Sequence, residues 1–138
     1  MNFVERCLYD FMHNLDKIRS LRFLLHNLMS VQAQGYNVHL YNSQYDPVSN
    51  VLILKDKIQN KINRISKLTI TVKKLDKSLC LSDNRQKIMH DILHKKFFHH
   101  KPIDDVLREI AVSKSTLKRR NRELLHLAGK FLQEGKAS

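Results

Sequence analysis

Glycine and proline are scarce in this chain, which has three glycines and two prolines among its 138 residues. All-β folds need many turns, and turns depend on these residue types, so the scarcity argues against an all-β fold. It favours long helices with few connections. Hydrophobic residues make up 42% of the chain, which is enough for a packed core and argues against wholesale disorder.

Long apolar runs are also missing. No window of about 18 uncharged apolar residues occurs, so the sequence predicts no membrane-spanning helix. The first residues, MNFVERCLYD, place charges where a signal peptide would need an apolar region. We therefore expect a cytoplasmic protein with no membrane partner.

Metal-binding patterns are sparse. The two cysteines, Cys7 and Cys80, have neither CxxC nor C2H2 spacing, which excludes a zinc finger. Both fit apolar helix faces, so we expect both to be buried and reduced. His90 and His94 are four residues apart, but no acidic or cysteine ligand completes a recognisable set. The sequence therefore predicts no metal and no cofactor.

Catalytic motifs are absent as well. The chain shows no nucleophile–base–acid set and no glycine-rich phosphate loop. Asp104 and Asp105 are adjacent, so on a helix their side chains would diverge by about 100°. They are better explained as acids in the first turn of a helix, where the helix dipole favours them. We predict that the protein is not an enzyme.

Positive charge is present in excess. The formal net charge is +12 and the sequence pI is about 9.9. A small protein this basic usually binds a polyanion, and nucleic acid is the first candidate. The alternative is a basic surface without a partner.

Two N-terminal segments, about 1–31 and 50–79, carry apolar residues at alternating steps of three and four, which predicts two long amphipathic helices. The segment 32–49 between them is predicted to be a loop. Two helices of equal length joined by one loop favour an antiparallel helical hairpin over residues 1–81. The same apolar stripes could also pair two copies of the chain in a homodimer. The striped positions are Met1, Val4, Leu8, Phe11, Leu15, Ile18, Leu25 and Met29, then Val51, Leu54, Ile58, Ile65, Leu68, Val72, Leu75 and Leu79.

Three shorter helices are predicted in a second domain, residues 82–138. Ser82 or Asp83 is expected to cap the first, and the sequence FHHKP ends it. The segment DDVLREIAVSKSTLKRR then follows the pattern of a helix-turn-helix, with small Ala111 in the turn and Ser113 as the cap of the last helix. Apolar side chains are expected to fill the corner between the two helices, namely Leu107, Val112 and Leu117. The predicted fold is thus all-α, a helical hairpin followed by a trihelical helix-turn-helix unit.

The last helix separates apolar and basic positions. Its buried edge is predicted to run from Leu117 through Asn121, Leu124, Leu125 and Ala128, with Arg120 packing its stem on the flank and its guanidinium emerging. Arginine is suited to reading guanine, and lysines to neutralising phosphates. The predicted DNA-binding residues are Lys114, Ser115, Thr116, Lys118, Arg119 and Arg122. The alternative is that these cations are merely solvated on a structural helix.

The residues of this second domain also carry a family resemblance. Residues 85–128 resemble region 4 of sigma factors, a trihelical unit that reads promoter DNA. With the striped N-terminal helix, a polar loop ending in DPVSN and the segment NRQKIMHDILHKKF…VLREIAVSKSTLKRRNRELLHLAGKFL, nearly the whole chain resembles the RinA/ArpU family, small late-transcription regulators of phages of Gram-positive bacteria. The resemblance implies an activator of phage packaging, morphogenesis or lysis genes that acts in the bacterial host cell. Many such units have glycine where this chain has Ala111.

Two rival functions use the same features. A small terminase-like packaging protein also combines a helix-turn-helix with oligomerising helices, although there the DNA-binding unit is usually N-terminal. A helical adaptor could instead bind host RNA polymerase through the hairpin, either without DNA or in addition to it.

Overall fold

The computed structural model describes residues 1–33 and 47–137, and every regular element in these ranges is helical, as predicted. Most of the predicted loop 32–49 lies outside the described residues. None of the described helices is long and apolar enough to cross a membrane. In chain order the elements are α1 (Phe3–Tyr9), α2 (Phe11–Ala33), α3 (Pro47–Ser78), α4 (Asn84–Ile92), a π-helical segment (Leu93–Phe98), α5 (Ile103–Ile110) and α6 (Lys114–Ala137).

The first stripe forms two helices instead of the single helix expected over 1–31. Asn2 caps α1, and its side-chain Oδ1 accepts a hydrogen bond from the backbone N–H of Glu5 at 2.8 Å. Asp10 lies between the helices. Its backbone N–H donates to the last turn of α1, and its carbonyl accepts from the backbone N–H of Asn14 at 2.7 Å. The break at Asp10 separates α1 from the long helix that follows.

The chain forms two compact units. Unit 1 comprises Met1–Asn14 and Lys67–Ser138, and unit 2 comprises Leu15–Ser66. This division differs from the predicted boundary at residue 81. The reason is that α1 and the last turns of α3 contribute buried side chains to the same core as the C-terminal helices.

Unit 2 has an aliphatic core contributed by both α2 and α3. Ile18 of α2 lies in one buried cluster with Ile58, Ile62 and Ile65 of α3. The leucines of α2 that pack against this cluster are Leu21, Leu25 and Leu28. Leu54, which the stripe placed inward, is instead 45% exposed. The apolar stripe therefore predicts the buried residues in the middle of unit 2 correctly, but it is wrong near the start of α3.

Unit 1 buries the apolar sides of its helices in a larger core. Helix α1 packs near α6 at Gly129, where a Cβ would lie 3.9 Å from the Val4 side chain, an ordinary contact distance. Sequence spacing correctly predicted most of the buried positions in the C-terminal helices, whereas Leu107, Ile110 and Val112 are only half-buried. The buried apolar residues are Cys7, Leu8, Phe11, Val72, Leu75, Leu79, Met89, Ile92, Leu93, Phe97, Phe98, Val106, Leu117, Leu124, Ala128 and Leu132.

The π-helical segment brings two consecutive phenylalanines into this core. The ring of Phe97 lies 4.7 Å from that of Tyr9, and Phe98 stacks on Phe11 at 4.5 Å between ring centroids. The backbone N–H of His99 donates to the carbonyl of His94 at 2.9 Å, which is the wide turn of a π-helix. An aromatic pair contributes about 0.5–1.5 kcal/mol of stability in addition to the burial of its surface. These two contacts therefore stabilise the packing of the N-terminal residues within unit 1.

The N-cap of α4 is Asp83, one of the two residues that the sequence predicted. Asp83 caps α4 and accepts hydrogen bonds from the backbone N–H groups of Arg85 and Gln86 at 2.9 and 3.3 Å. The side chain of Gln86 accepts from the backbone N–H of Cys80 at 2.6 Å, rather than from that of Asp83 as in a regular capping box. This bond ties the end of α3 to the start of α4.

The turn from α5 to α6 depends on one left-handed residue. Ala111 has φ 58° and ψ 46°, and its backbone N–H donates to the carbonyl of Leu107 at 3.0 Å. Ser113 caps α6, because its Oγ accepts from the backbone N–H of Thr116 at 3.2 Å. The turn is therefore short, and its conformation is one that glycine adopts more readily than alanine.

The prediction that both cysteines are buried is confirmed for Cys7 and wrong for Cys80. Cys7 is buried as expected, but Cys80 is exposed beyond the end of α3. Its Sγ lies 2.9 Å from the hydroxyl oxygen of Ser82, and hydrogen bonding by Ser82 lowers the pKa of the Cys80 thiol. The apolar stripe of α3 ends one residue earlier, at Leu79.

Replacing Ala111 by glycine is predicted to stabilise unit 1. The left-handed conformation costs an alanine about 1 kcal/mol, of which the greater chain entropy of unfolded glycine offsets a part. Chemical denaturation should show a free energy of unfolding raised by up to about 1 kcal/mol. Ala111→Val is the opposing control, because a β-branched side chain tolerates positive φ poorly and should lower stability. Destabilisation by both substitutions would contradict a left-handed residue at this turn.

Candidate nucleic-acid interface

Helix α6 has one buried side and one exposed side along its first turns. Leu117 and Leu124 are buried, at 2% and 0% exposure. At 100° per residue, Arg119 lies roughly opposite these leucines. Five of the six predicted DNA-binding residues are exposed, and we call these five the basic face: Lys114, Ser115, Lys118, Arg119 and Arg122.

The cations of the basic face are not neutralised by acidic neighbours. Within the described ranges, none of Lys114, Lys118, Arg119 and Arg122 has a carboxylate within ion-pair distance. Four positive charges on fewer than three turns of helix repel one another, at a cost of a few tenths of a kcal/mol for each pair in water. A polyanion placed against this face would relieve that repulsion.

Thr116, the sixth predicted residue, lies differently. Its side chain is half-buried, and its Oγ1 accepts a hydrogen bond from the hydroxyl of Ser113 at 2.8 Å. The hydroxyl oxygens of Ser113 and Ser115 are 3.2 Å apart. The first turn of α6 thus has three linked hydroxyl groups, of which only that of Ser115 lies on the basic face.

Arg120 does not behave as the sequence predicted. Its stem packs inward, but its guanidinium does not emerge, and only 10% of the side chain is exposed. Nη1 donates to both carboxylate oxygens of Glu123, at 2.6 and 2.7 Å. Because a buried guanidinium is costly unless it is paired, this contact accounts for the acid at position 123 in a basic segment. Arg120 is therefore a core residue.

Helix α5 carries three acids, and basic neighbours pair with two of them, Asp105 and Glu109. Glu109 lies 2.6 Å from Lys101 Nζ and 3.6 Å from Lys95 Nζ. The hydrogen bond from Lys101 is the main reason why the pKa of Glu109 lies below its usual value. Asp105 pairs with Arg108 on the same helix. Ion pairs thus involve most of the charged residues of α5, whereas the four cations in the first turns of α6 have none in the described ranges.

A shallow pocket of about 220 Å³ flanks the basic face, and it contains a cation that sequence reasoning missed. Lys96 of the π-helical segment donates to Asn121 Oδ1 at 3.2 Å and lies over the ring of Phe97. Burial lowers the pKa of Lys96, and the negative charge of Glu5 opposes that shift. The residues around the pocket are Lys96, Ile103, Lys114, Leu117, Lys118 and Asn121.

No sequence signal identified Lys96, because regular helical spacing does not describe a π-helical segment. The π-helical turn Leu93–Phe98 is wider than a turn of α-helix, so its residues depart from the helical spacing counted from Ile88 and Ile92. The structure places three lysines, at 96, 114 and 118, around one apolar floor. Such a site suits a group with anionic oxygens above an apolar surface.

Comparison with known protein families, with curated proteins and with solved structures found no match to this chain.

Proposed function

We propose that this protein is a sequence-specific regulator that binds double-stranded DNA, with α5 and α6 forming a helix-turn-helix. The observation that carries the proposal is the basic face, whose four cations have no acidic partner in the described ranges. A helix that served only the core would gain nothing from concentrating these charges. The solvated-cation alternative also leaves unexplained why two of the three acids of α5 are paired while the basic face of α6 contains no acid.

In this proposal the first turns of α6 lie in the major groove. Arg119, in the middle of the exposed side, presents a two-pronged donor to a guanine, and Arg122 one turn later serves an adjacent base. Lys114 and Lys118 neutralise phosphates, together with Lys96 at the edge of the pocket. Ser115 donates to a phosphate or a base edge, whereas Thr116 supports the cap.

The biological role we propose follows from the resemblance of the sequence to RinA/ArpU regulators. On this proposal the protein activates late genes of a phage in a bacterial host cell, with promoter DNA as its main partner and host RNA polymerase as a second one. The all-α fold with a capped, basic last helix supports this role.

We further propose that unit 2 is a helical hairpin that joins two copies of the chain. Besides its core, unit 2 exposes large apolar side chains, including Phe23 at 68% on α2 and Ile53 at 52% on α3. Others in this exposed set are Leu24, Leu52 and Leu54. Large apolar side chains exposed on both helices of unit 2 would gain from burial against a partner. A dimer would present two copies of α6 to two half-sites on DNA, as helix-turn-helix dimers do.

Replacing Arg119 by alanine is predicted to reduce sequence discrimination. A duplex selected from a random pool should bind the variant about 10- to 100-fold more weakly, because a two-pronged contact to guanine is worth about 1–3 kcal/mol. Binding to an unrelated duplex should change much less. Fluorescence anisotropy with both duplexes measures this, and circular dichroism checks that helix content is unchanged.

The matched control for this variant is Arg19→Ala. Arg19 is on α2 in unit 2, with 83% of its side chain exposed, so its removal takes away one charge without touching the basic face. It should leave discrimination intact. Equal losses in both variants would mean that net charge, and not Arg119, determines binding.

Lys118→Ala is predicted to weaken binding to all duplexes alike. A lysine that neutralises one phosphate displaces about one counterion, so the slope of log K against log salt should become shallower by about 0.9. Titrations of both duplexes at several salt concentrations measure the slope. An unchanged slope would remove Lys118 from the proposed interface.

The dimer proposal predicts that Phe23→Lys combined with Ile53→Lys yields a monomer, because charges replace the apolar contact. Sedimentation equilibrium should give twice the chain mass for the unmodified protein and the chain mass for the variant. A monomeric unmodified protein contradicts the dimer, and a larger ring-like assembly would favour the packaging alternative.

A further inference from the structure

Three metal-ligating side chains meet away from the basic face. Asp76 is in the last turns of α3, His90 is in α4, and His94 is in the π-helical segment. One ligand atom from each of the three residues lies within 4.8 Å of the other two. The sequence did not point to Asp76 as a partner of the histidine pair, because it stands 18 positions before His94 and the two meet only in the folded chain. The three residues belong to unit 1.

The distances suit a single ion of the zinc class. Asp76 Oδ1 lies 2.9 Å from His94 Nε2 and 3.6 Å from His90 Nε2. Zinc binds imidazole nitrogen and carboxylate oxygen at about 2.0–2.2 Å in a tetrahedral arrangement, so two ligand atoms of one ion are about 3.3 Å apart. The two distances lie on either side of this value, and a small side-chain movement would satisfy both.

The local backbone holds both imidazoles on the same side. His90 and His94 are four residues apart, and their ring centroids lie 4.3 Å from each other. The edge of the Phe98 ring packs against His94, with ring centroids 4.8 Å apart. The side chains of Asp76, His90 and His94 are 29%, 28% and 34% exposed, so an ion can reach them while part of the site is shielded from water.

The second nitrogen of His90 has a carboxylate nearby that could orient the ring. Nδ1 is buried and makes no hydrogen bond, and the nearest carboxylate oxygen, Asp91 Oδ1, lies 3.5 Å away. Metal-bound histidines usually donate their other ring N–H to a carboxylate or carbonyl, which fixes the ring and strengthens the ligand. If Nε2 bound a metal, Nδ1 would carry the proton, and a slight closure toward Asp91 would complete this contact.

We propose that Asp76, His90 and His94 form a binding site for a divalent transition metal, with zinc as the best match. Two imidazoles and one carboxylate are ligands that zinc prefers, whereas magnesium and calcium prefer sets of oxygen ligands. Three protein ligands leave a coordination position for water. The ion would link the end of α3 to α4 and to the π-helical segment, and so stabilise unit 1. The site does not depend on the proposed DNA binding.

The test is isothermal titration of Zn²⁺ into the full chain after treatment with a chelator. The unmodified protein should bind one ion per chain, and thermal unfolding should show a higher melting temperature with Zn²⁺ than without it. Asp76→Asn and His94→Gln should each weaken binding at least about 10-fold. His99→Gln is the matched control, because His99 is an exposed histidine just beyond the π-helical segment, and it should bind Zn²⁺ like the unmodified protein.

Three results would overturn the proposal. One is the absence of any binding heat and of any melting shift with Zn²⁺ in the unmodified protein. Another is unchanged affinity and stoichiometry in both Asp76→Asn and His94→Gln, which would place the ion elsewhere. The third is an equal loss in His99→Gln. Circular dichroism of the metal-free variants separates loss of the ligand from loss of the fold.

Discussion

The burial of the π-helical segment Leu93–Phe98 is the constraint on which unit 1 depends. This segment contacts α1, α4 and α5, and through Lys96 it also bonds to Asn121 on α6. Phe97 and Phe98 are consecutive, yet both are buried, at 0% and 5% exposure. Tyr9 and Phe11 cover them from the N-terminal side of the chain. Loss of either phenylalanine would therefore disturb several helices at once.

The same segment places one lysine against α5 and the next lysine against α6. Lys95 is directed toward Glu109 on α5, whereas Lys96, the next residue, is directed toward Asn121 on α6. Two adjacent lysines thus serve different purposes, one in an ion pair and the other at the edge of the pocket beside the basic face. The buried guanidinium of Arg120 pairs with Glu123, whose side chain is partly exposed. The cations of the basic face take part in neither of these contacts.

The all-α class and the two caps Asp83 and Ser113 could be predicted from the sequence, because these depend on local spacing and on short-range hydrogen bonds. Exposure of the basic face could be predicted for the same reason. The break at Asp10 could not, since the apolar stripe continues through it. Nor could the meeting of Asp76 with His94, because it depends on how α3 packs in unit 1.

Three features around α6 that the sequence did not predict have a common physical cause. Helical counting gives the direction of a side chain but not what lies beside it. Arg120 was expected to emerge because Glu123, one turn later, was not recognised as its partner. Lys96 was overlooked because π-helical turns change the register of the residues that follow. Thr116 was included among the predicted DNA-binding residues, and its hydroxyl accepts a hydrogen bond from the capping residue Ser113.

The most direct test of the central claim, that α6 carries the DNA-binding surface, is an NMR titration of the labelled protein with a short mixed-sequence duplex. The account predicts that the largest shifts of backbone amide signals fall between Ser113 and Arg122, with smaller ones at Lys96. Shifts centred on the lysines of α3, or the absence of shifts with a duplex at low salt, would contradict it.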